Sequence, residues 1–520
     1  MKNYSLKNIL AVPLGAITLL AGCSKFDKIN TDPNQTSQVT SGMLATGMIL
    51  NITRSSISST KGFMQPYLLG KYLTWGEGQE SFQYNKFGRA NFDRLLQLRN
   101  IPPMLAYAED DGLRKSYSGL GHFIRAWQFF QTTMQVGDIP YSQAGKGESS
   151  NIIQPAYDTQ KEVFLGILNE LDSANILLAE GKKFAGDPIY AGEADNWRRL
   201  ANSFQLHVLM NLYKKTNDPD LKVIARFNDI VANRPLMRSY ADNFALTYTA
   251  AAGQNYPWSD VPAGSGNSFV KSNYTMLSAT LIDPLKAMKD RRLFYYAKPS
   301  PVKIAAGKLM TDWDAYIGAE PSNAFPVLQT MRVGKDYSDL NNRYVNLVNA
   351  EPVSLFSYAE LQFVLAEAAL RGWISTAPAQ TYYAAGITSA MKFTAAYTPD
   401  LEDYHHNMKI DDNYIQTYVA AVALTGNTAA QLQQIILQKY LAGFLQGSNY
   451  NAWYEHRRTG YPVFILNATT NLNTPTTQFP VRWLYPANEL SFNNANMDAA
   501  VQRQFGGSDN VNSVMWLLKD

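Results

Sequence analysis

The side chains in this sequence that are best suited to bind a ligand are aromatic residues in polar, loop-rich stretches. Aromatic rings stack on the apolar faces of sugar rings, while neighbouring amides and carboxylates bond the sugar hydroxyls. Six candidates have such surroundings: Trp75, Tyr84, Tyr256, Trp258, Tyr274 and Trp313. The alternative interpretation is that these rings hold their loops against the rest of the fold. The sequence predicts a ligand-binding set and leaves open which of its members touch the ligand.

Patterns that carry catalysis are missing from the sequence. It has no nucleophile elbow, no phosphate-binding loop and no dinucleotide fingerprint. His405 and His406 lie near Glu402 and Asp403, but adjacent histidines cannot share a helix face and no third ligand has metal-site spacing, so they are predicted to be surface residues. The sequence therefore predicts neither an enzyme nor a metal or cofactor site. The other histidines are predicted to be core or hydrogen-bonded residues: His122, His207 and His456.

Composition argues against two further classes of protein, disordered proteins and nucleic-acid binders. Hydrophobic residues make up 46% of the 520 residues and charged residues 17%, which is enough apolar material for a large core and argues against wholesale disorder. The net charge is only +3 and no run of lysine or arginine occurs. A dedicated nucleic-acid binder needs a basic surface, so no nucleic-acid partner is predicted.

The N-terminus is predicted to be a targeting segment, residues 1–22. Lys2 and Lys7 precede an apolar run from Ile9 to Leu20, which is shorter than the ~20 residues of a membrane span. The run ends in Leu-Ala-Gly and then Cys23, the only cysteine, at the position where bacterial lipoproteins are lipidated. The alternative is an ordinary secretory signal with a chance cysteine. Acyl chains on Cys23 would anchor the protein to a membrane through the polar tether 23–40.

The elements that must position the aromatic residues are mostly helices. Apolar residues recur at spacings of three and four in the following segments: 115–136, 159–180, 197–214, 358–371, 379–391 and 430–444. The predicted N-cap of the second segment is Asp158 or Thr159, with Glu162 three residues after Thr159. The pair formed by 358–371 and 379–391 is similar to a tetratricopeptide-type hairpin, in which the small residues Ala366 and Gly386 let the two helices approach closely. Residues 246–345 are rich in glycine, proline, asparagine and serine and are predicted to form a loop-rich insertion.

Several segments, in order along the chain, are similar to one known family. The polar stretch after Cys23 reads FDKINTDPN (26–34), and further matching segments are GDIPYS (137–142), 186–212, 357–373 and AWYEHRRTGYP (452–462). By these motifs and their order, the chain resembles the SusD/RagB-like outer-membrane lipoproteins, in the SusD-like branch that carries INTDPN.

The resemblance implies a fold and a function. The fold is all-α, a tetratricopeptide-like helical-repeat superhelix with a loop-rich insertion. One domain, 41–520, would comprise helical repeats (41–245 and 346–465), a ligand-facing insertion (246–345) and a C-terminal cap (466–520). The function would be capture of a nutrient, an oligosaccharide or a peptide, at the cell surface and delivery to a SusC-like TonB-dependent transporter. The alternatives left open are a repeat scaffold that assembles envelope proteins and a glycan-degrading enzyme.

Overall fold

A computed structural model describes residues 39–54, 61–261, 274–447 and 450–520. The predicted signal segment, Cys23 and nearly all of the predicted tether lie outside the described residues. Within the described ranges, no helix is long and apolar enough to cross a membrane.

The described part of the first half of the chain is built mainly from helices. They are α1 (Ser41–Thr53), α2 (Gln65–Leu69), α3 (Ile101–Ala106), α4 (Asp111–Val136), α5 (Gly147–Ser150), α6 (Gln160–Ala179), α7 (Ala194–Asn211) and α8 (Val223–Asn233). The helix predicted over 115–136 begins four residues earlier than expected because the Asp110 side chain accepts from the Leu113 amide as its N-cap. Helix α6 has the capping box of Thr159 and Glu162 that its sequence predicts.

The predicted insertion contains more regular structure than its composition suggests. Its helices are short: α9 (Ala279–Ala287), α10 (Arg292–Tyr296), α11 (Pro301–Ala305), α12 (Phe325–Gly334) and α13 (Asn342–Asn346). Strand β1 (Leu73–Trp75) pairs antiparallel with β3 (Thr275–Leu277) of the insertion. Strand β2 (Phe244–Leu246) pairs antiparallel with β4 (Val353–Phe356), so that this second ladder joins the two ends of the insertion. These ladders hold the loops against the helices without forming a closed sheet.

The remaining helices complete the body. They are α14 (Tyr358–Leu370), α15 (Ala379–Ala396), α16 (Glu402–His405), α17 (Asp412–Ala421), α18 (Thr428–Ala442), α19 (Asn451–Thr459), α20 (Ala487–Phe492) and α21 (Asn494–Phe505). The predicted hairpin is formed by α14 and α15. A Cβ added to Gly386 would lie 2.7 Å from the Phe363 ring, so this glycine permits the close approach that the sequence predicts. The predicted all-α, tetratricopeptide-like fold is confirmed, whereas the segment boundaries within 41–520 stay predictions.

Candidate functional site

Four of the six aromatic candidates are core residues in this structure. Trp75 and Tyr256 have no exposed surface, Trp258 is 1% exposed and Tyr84 is 2% exposed. The Tyr84 hydroxyl donates to the Asn323 carbonyl over 2.8 Å. A ring can stack on a sugar only if one of its faces is open. These four rings have no open face. Their packing is what we expect if they hold their loops against the rest of the fold.

The six candidates make ring contacts with different partners. The β1–β3 ladder brings Trp75 against Tyr274, with ring centroids 5.4 Å apart. Tyr256 stacks on Tyr344 at 6.1 Å, and Trp258 meets Tyr67 edge-on at 5.5 Å. Tyr274 is partly exposed, but the Arg332 guanidinium lies 5.0 Å from its ring centroid. The predicted set therefore does not form one continuous platform.

Trp313 borders an open cavity. It begins a single 3-10 turn, Trp313–Ala315, and its partly exposed ring packs edge-on against Phe294 with centroids 4.6 Å apart. The cavity beside it has a volume of about 350 Å³. Its other lining residues, mostly charged, are Asp283, Lys286, Ala287, Lys289 and Asp314. An aromatic ring surrounded by carboxylates and amines is the combination that sugar binding requires.

Two lysines of this cavity are held in place by the backbone around them. Lys289 has a left-handed conformation with φ 56°, and its carbonyl accepts from the Tyr414 hydroxyl over 2.8 Å. Its ammonium lies 5.1 Å from the Trp313 ring centroid, a cation–π contact. Lys286 donates to the Tyr316 carbonyl over 2.9 Å. Lys289 therefore covers part of one side of the ring and offers a donor next to it.

A second cavity of about 290 Å³ continues along the same helix. Its lining residues are Ala279, Thr280, Asp283, Pro284, Glu320, Gln433, Leu437, Tyr461, Pro462, Val463 and Ile465. The two cavities meet at Asp283, and we call them together the α9 groove. Partial burial raises the pKa of Asp283; Lys286 opposes this shift, and Glu320 adds to it. The volume of the first cavity lies at the lower end of the range of small-molecule sites, and that of the second lies just below it.

A third cavity, of about 70 Å³, lies inside the protein among buried charges. Lys439 Nζ lies 2.8 Å from Glu455 Oε1 and 3.6 Å from Glu360 Oε1. Burial raises the pKa of Glu360 to about 7 and lowers that of His207 to about 3. The volume suits a few water molecules rather than a sugar. Because these residues come from α7, α14, α18 and α19, we interpret the cluster as a structural connection between helices.

Local sequence patterns contain little indication of this charged cluster. Glu360, Glu367 and Lys439 stand among apolar residues, whereas Glu455 and Arg458 lie in a polar helix. Only the three-dimensional packing brings them together. Arg458 donates to both oxygens of Glu367, over 2.7 and 2.6 Å, and also pairs with Glu455. A charged residue on the apolar face of a predicted helix was the available signal, since such a residue is rarely buried without a partner.

The histidines are buried or hydrogen-bonded. The surface position predicted for His405 and His406 is wrong, because His405 pairs with Asp400 over 2.9 Å and His406 lies 3.2 Å from the Ala297 carbonyl, both inside the fold. The hydrogen-bonded or core positions predicted for the other three are confirmed by contacts of His122 with Glu170, burial of His207 and a contact of His456 with the Pro462 carbonyl. Among the described residues, no three histidine, cysteine or acidic side chains are grouped to hold a metal ion.

Comparison with known proteins identifies the relatives of this fold. A sequence model of the SusD-like proteins described as starch-binding and associating with the outer membrane matches residues 33–486. Searching curated proteins gives no match. A SusD homologue from Bacteroides fragilis is 43% identical, with a TM-score of 0.87 over 92% of this chain and 100% of its own.

Two further solved structures are similar. A second SusD homologue from Bacteroides fragilis is 33% identical with a TM-score of 0.79, over 93% of this chain and 100% of its own. A chitin-binding SusD homologue from Flavobacterium johnsoniae shares the fold at 22% identity and a TM-score of 0.68, over 92% of this chain and 98% of its own. From its motifs, its helical fold and these matches, the chain belongs to the SusD-like family of outer-membrane nutrient-binding proteins.

Proposed function

We propose that this protein captures an oligosaccharide in the α9 groove and delivers it to a SusC-like TonB-dependent transporter of the outer membrane. The observation that carries the choice of site is the partly exposed Trp313 ring at the edge of an open cavity, with Asp283, Lys289 and Asp314 beside it. The family's description as starch-binding supports a glycan ligand.

The groove residues supply the two kinds of contact that a sugar needs. The Trp313 ring offers a face for the C–H groups of a pyranose, while the carboxylates of Asp283 and Asp314 accept from its hydroxyls. Lys289 donates to ring or hydroxyl oxygens. None of these contacts requires a reaction, so the proposed role is binding without chemical change. Tyr274 remains a second candidate contact because its side chain is partly exposed.

The ligand class is tested by a panel of starch, chitin and other oligosaccharides, together with peptides, against the purified protein. Chitin oligomers are included because a homologue of the same fold is described as chitin-binding. Saturable oligosaccharide binding without product release supports the proposal. Preferential binding of peptides would favour a peptide carrier, and product release would favour a glycan-degrading enzyme. Retention of envelope proteins without any small ligand would favour the scaffold alternative.

Lipid anchoring at Cys23 is part of this proposal. We expect Cys23→Ala to release the protein from membranes into the soluble fraction, because the acyl chains supply the membrane affinity. Metabolic labelling with an alkynyl fatty acid should mark the wild-type protein and leave the variant unmarked. A variant that is still labelled would show that another residue is acylated.

The transporter partner is tested by extraction of the outer membrane. After mild detergent treatment, the lipoprotein should be recovered together with a barrel transporter, because delivery of the ligand requires a lasting association with the barrel. Size-exclusion chromatography with mass spectrometry measures it. Recovery of the lipoprotein alone, under conditions that keep a known complex of this kind together, would contradict the proposed partner.

A further inference from the structure

The two halves of the α9 groove have different chemistry. The half next to Trp313 carries charged side chains, whereas the other half is mainly aliphatic. We call the second half the aliphatic half, and its apolar lining residues are Ala279, Pro284, Leu437, Pro462, Val463 and Ile465. Polar side chains, among them Thr280, Glu320 and Gln433, also line this half. Tyr461, which is partly exposed, is the aromatic residue of this lining, and the remaining apolar side chains are aliphatic.

Two of these aliphatic side chains are strongly exposed although they lie in a cavity. Val463 is 61% exposed and Ile465 is 56% exposed. Phe464 between them is buried, and its ring stacks on His456 with centroids 4.4 Å apart. This contact anchors the middle of the segment inside the protein and leaves its two neighbours facing solvent. Exposed apolar groups gathered in a groove mark a binding site more often than single exposed residues do.

The aliphatic half is continuous with the proposed sugar site. Four lining residues share one face of α9 because they stand at positions i, i+3, i+4 and i+7 of the helix. They are Thr280, Asp283, Pro284 and Ala287. From Thr280 to Ala287 this face is about 10 Å long, at ~1.5 Å per residue. One ligand can therefore lie along the helix and reach both halves.

We propose that the aliphatic half binds an apolar substituent, an alkyl, acyl or aryl group, carried by the saccharide that occupies the Trp313 half. This inference rests on the proposed function and adds the class of ligand: an amphiphilic glycoside or acylated glycan. Burial of the substituent removes both its own surface and the exposed faces of Val463 and Ile465 from water. Each methylene group that is buried should improve affinity about fourfold, which corresponds to ~0.8 kcal/mol.

The test is a series of β-D-glucopyranosides and N-acetyl-β-D-glucosaminides with methyl, butyl and hexyl groups. The full chain with Cys23→Ala is used, so that no detergent competes with the alkyl groups. We expect the dissociation constant to fall by about fourfold per methylene in isothermal titration calorimetry until the half is filled. In the double variant Val463→Asn, Ile465→Asn, the dependence of the dissociation constant on chain length should disappear.

A matched control replaces an exposed isoleucine elsewhere. Ile176 on α6 is as exposed as Ile465, and Ile176→Asn should keep the full dependence on chain length. Equal affinity for all chain lengths in the parent protein, or a dependence that survives the double variant, would overturn the inference. Trp313-dependent binding of unsubstituted saccharides would then still support the proposed function. If the dependence on chain length is the same in Trp313→Ala as in the parent protein, the saccharide ligand would be contradicted. Tighter binding of an aliphatic peptide than of the alkyl glycosides would contradict it as well.

Discussion

Trp313→Ala is expected to weaken oligosaccharide binding at least ~30-fold, which corresponds to ~2 kcal/mol for loss of a central aromatic contact. The alanine removes the candidate ring that lines the half of the α9 groove next to residue 313. It also removes the ring that the Lys289 ammonium contacts. The ligand is the saccharide that the panel identifies, and the dissociation constant is measured by titration calorimetry. A thermal unfolding curve of each variant shows whether the fold is intact.

Two control variants separate a binding residue from a packing residue. Trp516 is also partly exposed on a 3-10 turn, with Lys215 Nζ 4.8 Å from its ring centroid, so Trp516→Ala should bind the ligand like wild type. Trp75 is fully buried, and Trp75→Ala should cost ~3–5 kcal/mol of stability. Wild-type affinity in Trp313→Ala would place the site elsewhere, and equal losses in Trp313→Ala and Trp516→Ala would point to stability rather than contact.

Arg458→Met is expected to lower the free energy of unfolding by ~3–5 kcal/mol. Methionine has a similar length but no charge, so the carboxylates of Glu367 and Glu455 lose their shared partner inside the protein. Arg371 still reaches Glu367, and Lys439 still reaches Glu455, each over 2.8 Å, which favours the lower end of that range. Urea denaturation followed by circular dichroism measures the loss.

The loss of stability in Arg458→Met should become smaller as the pH falls. In the wild-type protein, burial alone would raise the pKa of Glu455, but Arg458 and Lys439 outweigh it and hold the pKa below the ordinary value of 4.5. Without Arg458 the folded-state pKa values of Glu367 and Glu455 rise. A carboxylate whose folded-state pKa is raised contributes less stability above that pKa, and the effect of removing Arg458 fades as the pH falls through the raised values.

The difference in stability between wild type and Arg458→Met should therefore be largest at high pH and should shrink as the pH falls through the raised pKa values of the variant. The control is Arg199→Met, which breaks a more exposed pair with Asp195 on α7 and should cost less than ~1 kcal/mol. A loss for Arg458→Met no larger than for Arg199→Met, or one that grows as the pH falls, would contradict the interpretation of this cluster.

The helices and the family could be predicted from the sequence, because both are indicated by patterns of residues close together or in a fixed order along the chain. Apolar spacing predicted α4, α6, α14 and α15, and the Thr159–Glu162 pair marked the start of α6. The small residue Gly386 indicated the close approach of α14 and α15. The motifs from INTDPN to the segment 452–462 needed only their order to indicate the family.

The candidate site depended on burial, which local patterns do not report. Trp75 and Trp313 both stand in polar stretches, yet the β1–β3 ladder covers the first and the turn after α11 leaves the second at a cavity. The sequence by itself therefore determined the helical class, the family and a set of aromatic candidates. Only the tertiary structure decided which ring faces solvent and which charges meet in the interior, because exposure is set by contacts between residues that are far apart in the chain.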